Sequence, residues 1–97
     1  MKKSRISTNK TINNPFIAKY PELDLHGETS FSSPVLINGF IKDCLHLKEY
    51  NAIIIHGKGS GILKKTTHEY LKKDKRIENY YIDSWNEGQT IIKIKKS

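Results

Sequence analysis

Two short segments of the sequence combine residue types that bind phosphate and transfer protons. Residues 23–27 read Leu-Asp-Leu-His-Gly, and residues 56–61 read His-Gly-Lys-Gly-Ser-Gly. A carboxylate and two imidazoles are the groups used for proton transfer near neutral pH. A lysine among glycines is typical of a loop that approaches a phosphate group closely. Together the two segments indicate a site that holds a phosphate and moves protons beside it.

The glycine segment predicts a phosphate cradle. Glycines permit positive φ and close approach of a ligand, and Gly57, Gly59 and Gly61 have this freedom. The helix expected next would direct its N-terminal N–H groups into the loop, with Lys58 and Lys64 adding positive charge. The spacing fits neither the P-loop nor the dinucleotide-binding motif. The alternative is a glycine turn with a purely structural role.

Asp24 and His26 are two residues apart, so on a strand both side chains project to the same side. An aspartate beside a histidine fixes the imidazole tautomer, and such a pair suits a general base acting on water or a ribose 2′-hydroxyl. His56 is predicted to act as a general acid on the leaving oxygen or to bind a phosphate. The alternative, more common for an isolated Asp-His pair, is that the carboxylate caps a helix and the histidine bonds to backbone.

The remaining polar and aromatic candidates give weaker signals. No residue spacing fits a zinc site, so no tight metal site is predicted. A Mg²⁺ or Mn²⁺ ion held by Asp24 and a substrate phosphate is left open. Cys44 falls on an apolar helix stripe and is expected in the core, and His46 and His68 are expected on helix surfaces. Three aromatic residues cluster on the predicted third strand, namely Tyr80, Tyr81 and Trp85. They are expected to pack in the core or on the sheet face, one side of which is partly open, and stacking on bases is the alternative.

Periodicity predicts the elements that position these residues. An alternating strand covers residues 22–26, and Ser33-Pro34 begins a helix of about four turns. A β-branched strand ends at His56, a second helix starts near Ile62, and two further strands cover residues 77–85 and 90–95, with a turn at 86–89. The order β-α-β-α-β-β predicts an α/β two-layer sandwich with a four-stranded mixed sheet and two helices.

In this architecture two right-handed crossovers make the first three strands parallel, and the terminal hairpin adds an antiparallel edge. Ligands of open α/β sheets bind at the carboxyl ends of the strands. Because both chemistry-bearing segments follow such ends, Asp24, His26, His56 and Lys58 are expected to lie close together.

Charge indicates the partner. The chain has 17 basic and 10 acidic residues, for a net charge of +7. Residues 1–19 are expected to form a basic, flexible tail, and residues 20–97 the folded domain. A basic tail and a basic C-terminal half suit a polyanion such as nucleic acid, and the alternative is a lysine-rich surface that binds nothing.

The sequence also argues against a membrane or secreted protein. There is no apolar run long enough to span a bilayer, no apolar segment follows the first basic residues, and Cys44 is the single cysteine. These features predict a cytoplasmic protein.

The paired segments resemble the Smr (small MutS-related) domain, over roughly residues 21–95. The resemblance rests on Leu-Asp-Leu-His-Gly at 23–27 followed by Ile-His-Gly-Lys-Gly-Ser-Gly-Ile-Leu-Lys at 55–64. It implies a fold like the C-terminal domain of the third bacterial translation initiation factor. Family members commonly carry a Gly-Gly-x-Gly stretch before the last strand, where this chain has Gly88 alone. They also often have an acidic residue where this chain has Val35 and Leu36.

The resemblance implies a nucleic-acid-binding domain with low-specificity endonuclease activity on DNA or RNA, and a ribosome or a repair protein as a further partner. It implies that Asp24, His26 and His56 are catalytic. It further implies that phosphate is bound by Gly57, Lys58, Gly59, Gly61 and Lys64. The alternatives are a non-catalytic module that binds DNA, RNA or ribosomes, and a binder of small phosphorylated metabolites.

Overall fold

The computed structural model describes residues 6–7 and 19–96, and these form one mixed sheet with two helices packed on one of its faces. The strands are β1 (Ile6–Ser7), β2 (Glu22–Asp24), β3 (Asn51–Ile55), β4 (Ile77–Asp83) and β5 (Asn86–Ile94), and the helices are α1 (Ser33–His46) and α2 (Ile62–Lys73). The predicted order β-α-β-α-β-β is confirmed for β2 to β5, as are the two layers. The two-residue β1 adds a fifth strand, antiparallel to β2.

The prediction of a flexible tail falls mainly on residues outside the described part of the chain. Of residues 1–19, the described ones are the β1 pair and Lys19. For the rest, the tail stays a prediction.

The strand order corrects one expectation. Among the described residues the order is β1-β2-β3-β5-β4, so β5 lies inside the sheet and β4 forms its edge. The sequence analysis placed the last strand at the edge. Burial explains the difference, because residues 88–92 of β5 are all buried while β4 exposes residues 78, 79 and 81. A strand buried on both faces needs a neighbour on each side.

The hairpin turn also differs from its prediction. It lies at Ser84 and Trp85, and the predicted turn residues 86–89 belong to β5. Asp83 forms the turn with its own side chain, whose Oδ1 accepts a hydrogen bond from the Trp85 N–H at 2.9 Å. Gly88 then lies within a strand, where glycine often marks a close approach of another backbone.

The two faces of the sheet are covered unequally. The main core lies between the sheet and the helices, with Ile54 and Ile92 from the sheet meeting Ile37 and Ile41 of α1. Ile53 and Ile91 form a small second cluster on the other face, beside Tyr20 and Ile55. Tyr81 lies exposed on this open face, as expected, because it pairs with Ile91. Tyr80 packs against the main core, the other place expected for these aromatic residues.

The helices begin where the sequence predicted. α1 starts at Ser33 with Pro34 in its first turn, and the Ser33 hydroxyl donates a hydrogen bond to the Thr29 carbonyl at 2.7 Å. Cys44 is buried on the inner face of α1, as expected, and burial raises the pKa of its thiol to about 12. Neither helix is long and apolar enough to cross a membrane, within the part of the chain described.

Candidate functional site

Parallel pairing of β2 and β3 brings the two chemistry-bearing segments together. Asp24 lies beside Ile55 in the sheet register, so the chain leaves both strands at the same edge. A cleft of about 500 Å³ opens there. It is lined by Asp24, His26, Gly27, Ile55, His56, Gly57, Lys58, Gly59 and Leu63. Six of the eight predicted site residues therefore line one cleft, while Gly61 and Lys64 lie just beyond it at the start of α2.

The β2 side of the cleft presents an exposed histidine on a braced turn. The carboxylate of Asp24 accepts a hydrogen bond from the backbone N–H of His26 at 2.8 Å. Gly27 has φ of +82°, and the Glu28 N–H donates to the Leu25 carbonyl at 2.9 Å to close the turn. Asp24 thus holds the backbone of His26 in place, and the imidazole itself is exposed at the cleft.

The β3 side is the glycine loop. Gly57 and Gly61 both have positive φ, at +82° and +86°, which side chains rarely adopt. Gly61 directly precedes α2, and the Ser60 hydroxyl accepts a hydrogen bond from the Ile62 N–H at 3.3 Å. The loop therefore turns sharply and aims the first turn of α2 at the cleft, where Lys58 is exposed.

Gly88 of β5 holds this loop through backbone hydrogen bonds. Its carbonyl accepts hydrogen bonds from the N–H groups of His56 at 2.9 Å and Gly57 at 2.8 Å. A Cβ at position 88 would lie 3.2 Å from Lys58 Cγ and 3.5 Å from the Gly57 carbonyl carbon. Gly88, which lies within β5, is therefore the point where this strand contacts the loop.

His56 differs from His26 in that its ring is engaged by the protein. The residue is 6% exposed, with Nδ1 3.1 Å from the Gly57 carbonyl oxygen and Nε2 2.8 Å from Thr90 Oγ1. A carbonyl oxygen only accepts, so Nδ1 carries the proton and Nε2 accepts from the Thr90 hydroxyl. Both ring nitrogens of His56 are thus used within the protein.

The sequence analysis missed His68 and Thr90. His68 Nε2 lies 2.7 Å from Thr90 Oγ1, and its ring packs edge-on against that of His56 with centroids 6.0 Å apart. Thr90 donates to His56, so its oxygen accepts the proton that His68 Nε2 carries. The prediction that His68 lies on the helix surface was wrong. Its spacing of three residues from the buried Leu71 was the available signal.

The electrostatics keep this histidine pair neutral. Burial lowers the pKa of His56, and the positive charge of Lys64 lowers it further, while the hydrogen bond to the Gly57 carbonyl opposes the shift. Burial and Lys64 likewise lower the pKa of His68. Lys64 therefore acts on the histidine pair although it does not line the cleft. Within residues 6–7 and 19–96, no three His, Cys, Asp or Glu side chains are grouped as ligands for a metal ion.

Comparisons with known proteins agree with this geometry. The family model described as Smr domain matches residues 23–94. The chain is 40% identical over 73 residues to "Endonuclease MutS2" of Geobacillus sp. (strain WCH70), an alignment that covers 75% of this chain and 9% of that protein. It is 41% identical over 69 residues to "Endonuclease MutS2" of Ligilactobacillus salivarius, covering 70% of this chain and again 9% of the relative. The chain thus spans about a tenth of the length of these relatives.

Two solved structures share the fold. The Smr domain of Thermus thermophilus MutS2 aligns with a TM-score of 0.74 and 26% identity, over 77% of this chain and 98% of that one. YdaL, a stand-alone small MutS-related protein from Escherichia coli, aligns with a TM-score of 0.71 and 20% identity, over 77% and 64% of the two chains. The second likeness is one of fold alone.

Proposed function

Because this chain belongs to the Smr domain family, we propose that it binds nucleic acid in the cleft between the ends of β2 and β3 and cleaves the phosphodiester backbone there. One observation carries the proposal. An exposed imidazole, that of His26, and a lysine-bearing glycine loop at a helix N-terminus line the same cleft. The MutS2 relatives, which are named endonucleases, support it.

The loop that follows β3 binds the phosphate in this proposal. Backbone N–H groups at the start of α2 and the charge of Lys58 stabilise a phosphate held against Gly57, Gly59 and Gly61, with Lys64 one turn further along. Such contacts do not read base identity, so the expected binding is of low sequence specificity and strongly weakened by salt.

The segment that follows β2 transfers the proton in this proposal. His26 takes the proton of the attacking 2′-hydroxyl or water as its oxygen bonds to phosphorus, and Asp24 supports His26 through the backbone turn that it braces. The bond from phosphorus to the leaving sugar oxygen breaks, and that oxygen takes a proton from water. If the attacking group is a ribose 2′-hydroxyl, the reaction requires no metal. If it is water, a Mg²⁺ or Mn²⁺ ion shared by Asp24 and the phosphate would supply activation.

His56 was predicted to be catalytic, and that role stays a prediction. The geometry favours a positioning role, because both ring nitrogens of His56 bind within the protein. For His56 to protonate a leaving group, its ring would have to release Thr90 or Gly57. We therefore propose that His56 maintains the shape of the phosphate loop and that His26 transfers the proton.

The test is cleavage of end-labelled single- and double-stranded RNA and DNA, with EDTA and with Mg²⁺ or Mn²⁺. His26→Ala is expected to slow cleavage by about 10² to 10⁴-fold, the usual contribution of a general base. The matched control is His46→Ala, an exposed histidine at the far end of α1, which should cleave at the wild-type rate. Equal rates for wild type and His26→Ala in a highly purified sample would refute the catalytic assignment.

One contact favours a second candidate, a binding module without chemistry. The Asp24 carboxylate is hydrogen-bonded to a backbone amide, which is what a purely structural turn requires. This candidate predicts salt-dependent oligonucleotide binding with no product on a denaturing gel, unchanged by His26→Ala.

A further inference from the structure

The hairpin between β4 and β5 presents an aromatic side chain at the edge of the sheet where the cleft lies. Trp85, in the two-residue turn, is 54% exposed. β3 and β4 are both antiparallel to β5, so they run in the same direction and end at the same edge. Ile55 at the end of β3 pairs with Gln89, so Trp85 lies four residues further along the hairpin, roughly 13 Å beyond that pair at about 3.3 Å per residue.

Hydrogen bonds brace the hairpin turn, and β5 connects it to the glycine loop. Asp83 binds the Trp85 N–H through Oδ1 and the Gln89 side-chain amide through Oδ2, at 2.9 and 2.8 Å. Three residues beyond Trp85, the Gly88 carbonyl holds the N–H groups of His56 and Gly57. The backbone of the turn is therefore connected through β5 to the glycine loop.

We propose that Trp85 stacks on an unpaired base next to the phosphate bound in the cleft, so that the preferred substrate is single-stranded nucleic acid. The proposal rests on the nucleic-acid binding proposed above and adds the substrate class. A flat, exposed indole offers a base a stacking surface that needs no particular sequence. Bases inside a duplex are already stacked and paired, and they cannot reach it.

The surroundings favour a nucleic acid over an apolar protein partner at this edge. Exposed lysines at positions 58, 64 and 65 lie on or after the neighbouring loop. On the other side of β3, the loop that follows β2 carries Phe31, which is 91% exposed. A positively charged groove combined with exposed aromatic side chains is typical of single-strand binding surfaces.

The experiment uses the indole as its own reporter, because Trp85 is the single tryptophan of the chain. Fluorescein-labelled 12-nucleotide DNA and RNA, single-stranded and as duplexes, are titrated by anisotropy, and unlabelled strands by tryptophan emission. Single strands are expected to quench the emission. Trp85→Ala should weaken single-strand binding about tenfold and duplex binding less than twofold, while Trp85→Phe should retain most of the affinity.

The matched control is Leu47→Ala, an apolar side chain 59% exposed at the opposite end of α1, which should bind as wild type. Single-strand binding without quenching, equal losses for single strands and duplexes, or a Trp85→Ala variant that binds all four probes normally would each overturn the inference and leave the proposed function standing. The last outcome would assign the indole to a protein partner. Absence of binding to every probe would overturn the proposed function and this inference together.

Discussion

The two strand ends that form the cleft each carry a histidine, and the two histidines have opposite surroundings. His26 follows β2, its ring is exposed, and its backbone N–H is held by Asp24. His56 follows β3, is 6% exposed, and has both ring nitrogens bound to Gly57 and Thr90. The same residue type is therefore exposed at one strand end and bound into the protein framework at the other.

The difference shows that the contacts of a histidine, and not its place in a motif, decide what it can do. A ring must expose a nitrogen to exchange a proton with a ligand. A buried ring whose nitrogens are both satisfied instead stabilises the groups that satisfy it. On the β3 side these groups are the Gly57 peptide and, through Thr90, His68 on α2. On that side, hydrogen bonds therefore connect the glycine loop, β5 and α2.

The first test of the difference between the two histidines removes each imidazole ring in turn. His56→Ala leaves buried partners at Thr90 and Gly57, so we expect a loss of about 2 kcal/mol in the free energy of unfolding. For a chain of this size that loss lowers the melting temperature by about 10 °C. His26→Ala should cost less than about 0.5 kcal/mol, since its ring is exposed. Calorimetry of both variants measures the contrast, and equal losses would show that the two histidines play one structural role.

A smaller effect is expected from the glycines of the loop. Gly57→Ala forces an alanine to φ of +82°, which costs about 1 kcal/mol even though no described atom lies within 4 Å of the added Cβ. Gly59→Ala is the matched control, because it has equal space and no positive φ. Denaturant titration should show a loss for the first variant and nearly none for the second. A loss at Gly59 equal to that at Gly57 would mean that backbone conformation is not what shapes the loop.

Much of the fold could be predicted because its signals are local. The stripe of Ile37, Ile41 and Cys44 identifies α1, and Ser33-Pro34 identifies its start. The place of β5 could not be predicted, because its burial arises from pairing with β3 as well as with its hairpin partner β4, and β3 is distant in sequence. The turn was misplaced for the same reason. Gly88 forms hydrogen bonds with residues 56 and 57, which are distant in sequence, and does not form a hairpin bend.

The candidate site divides in the same way. The residues that line the cleft could be predicted because they directly follow two parallel strands. The partner of His56 could not, since Thr90 lies 34 residues along the chain on an ordinary strand. His68 was missed because nothing in its own segment marks the hydroxyl that it meets. Motifs therefore locate a site, and tertiary hydrogen bonds decide the roles within it.

The last test measures how the stability contributed by the buried histidines depends on pH. Burial lowers the pKa of His56 and of His68 below the ordinary value of 6.5, so the unfolded chain takes up these protons at a higher pH than the folded chain does. The free energy of unfolding should therefore fall as pH drops below about 6.5 and level off below the folded pKa values. Melting temperatures from pH 7.5 to 5 should show this slope in wild type and in His46→Gln, and a flatter curve in His56→Gln/His68→Gln. An unchanged slope in the double variant would mean that the pair is not held neutral by the fold. The structural role of His56 would then be supported only by its hydrogen bonds to Gly57 and Thr90.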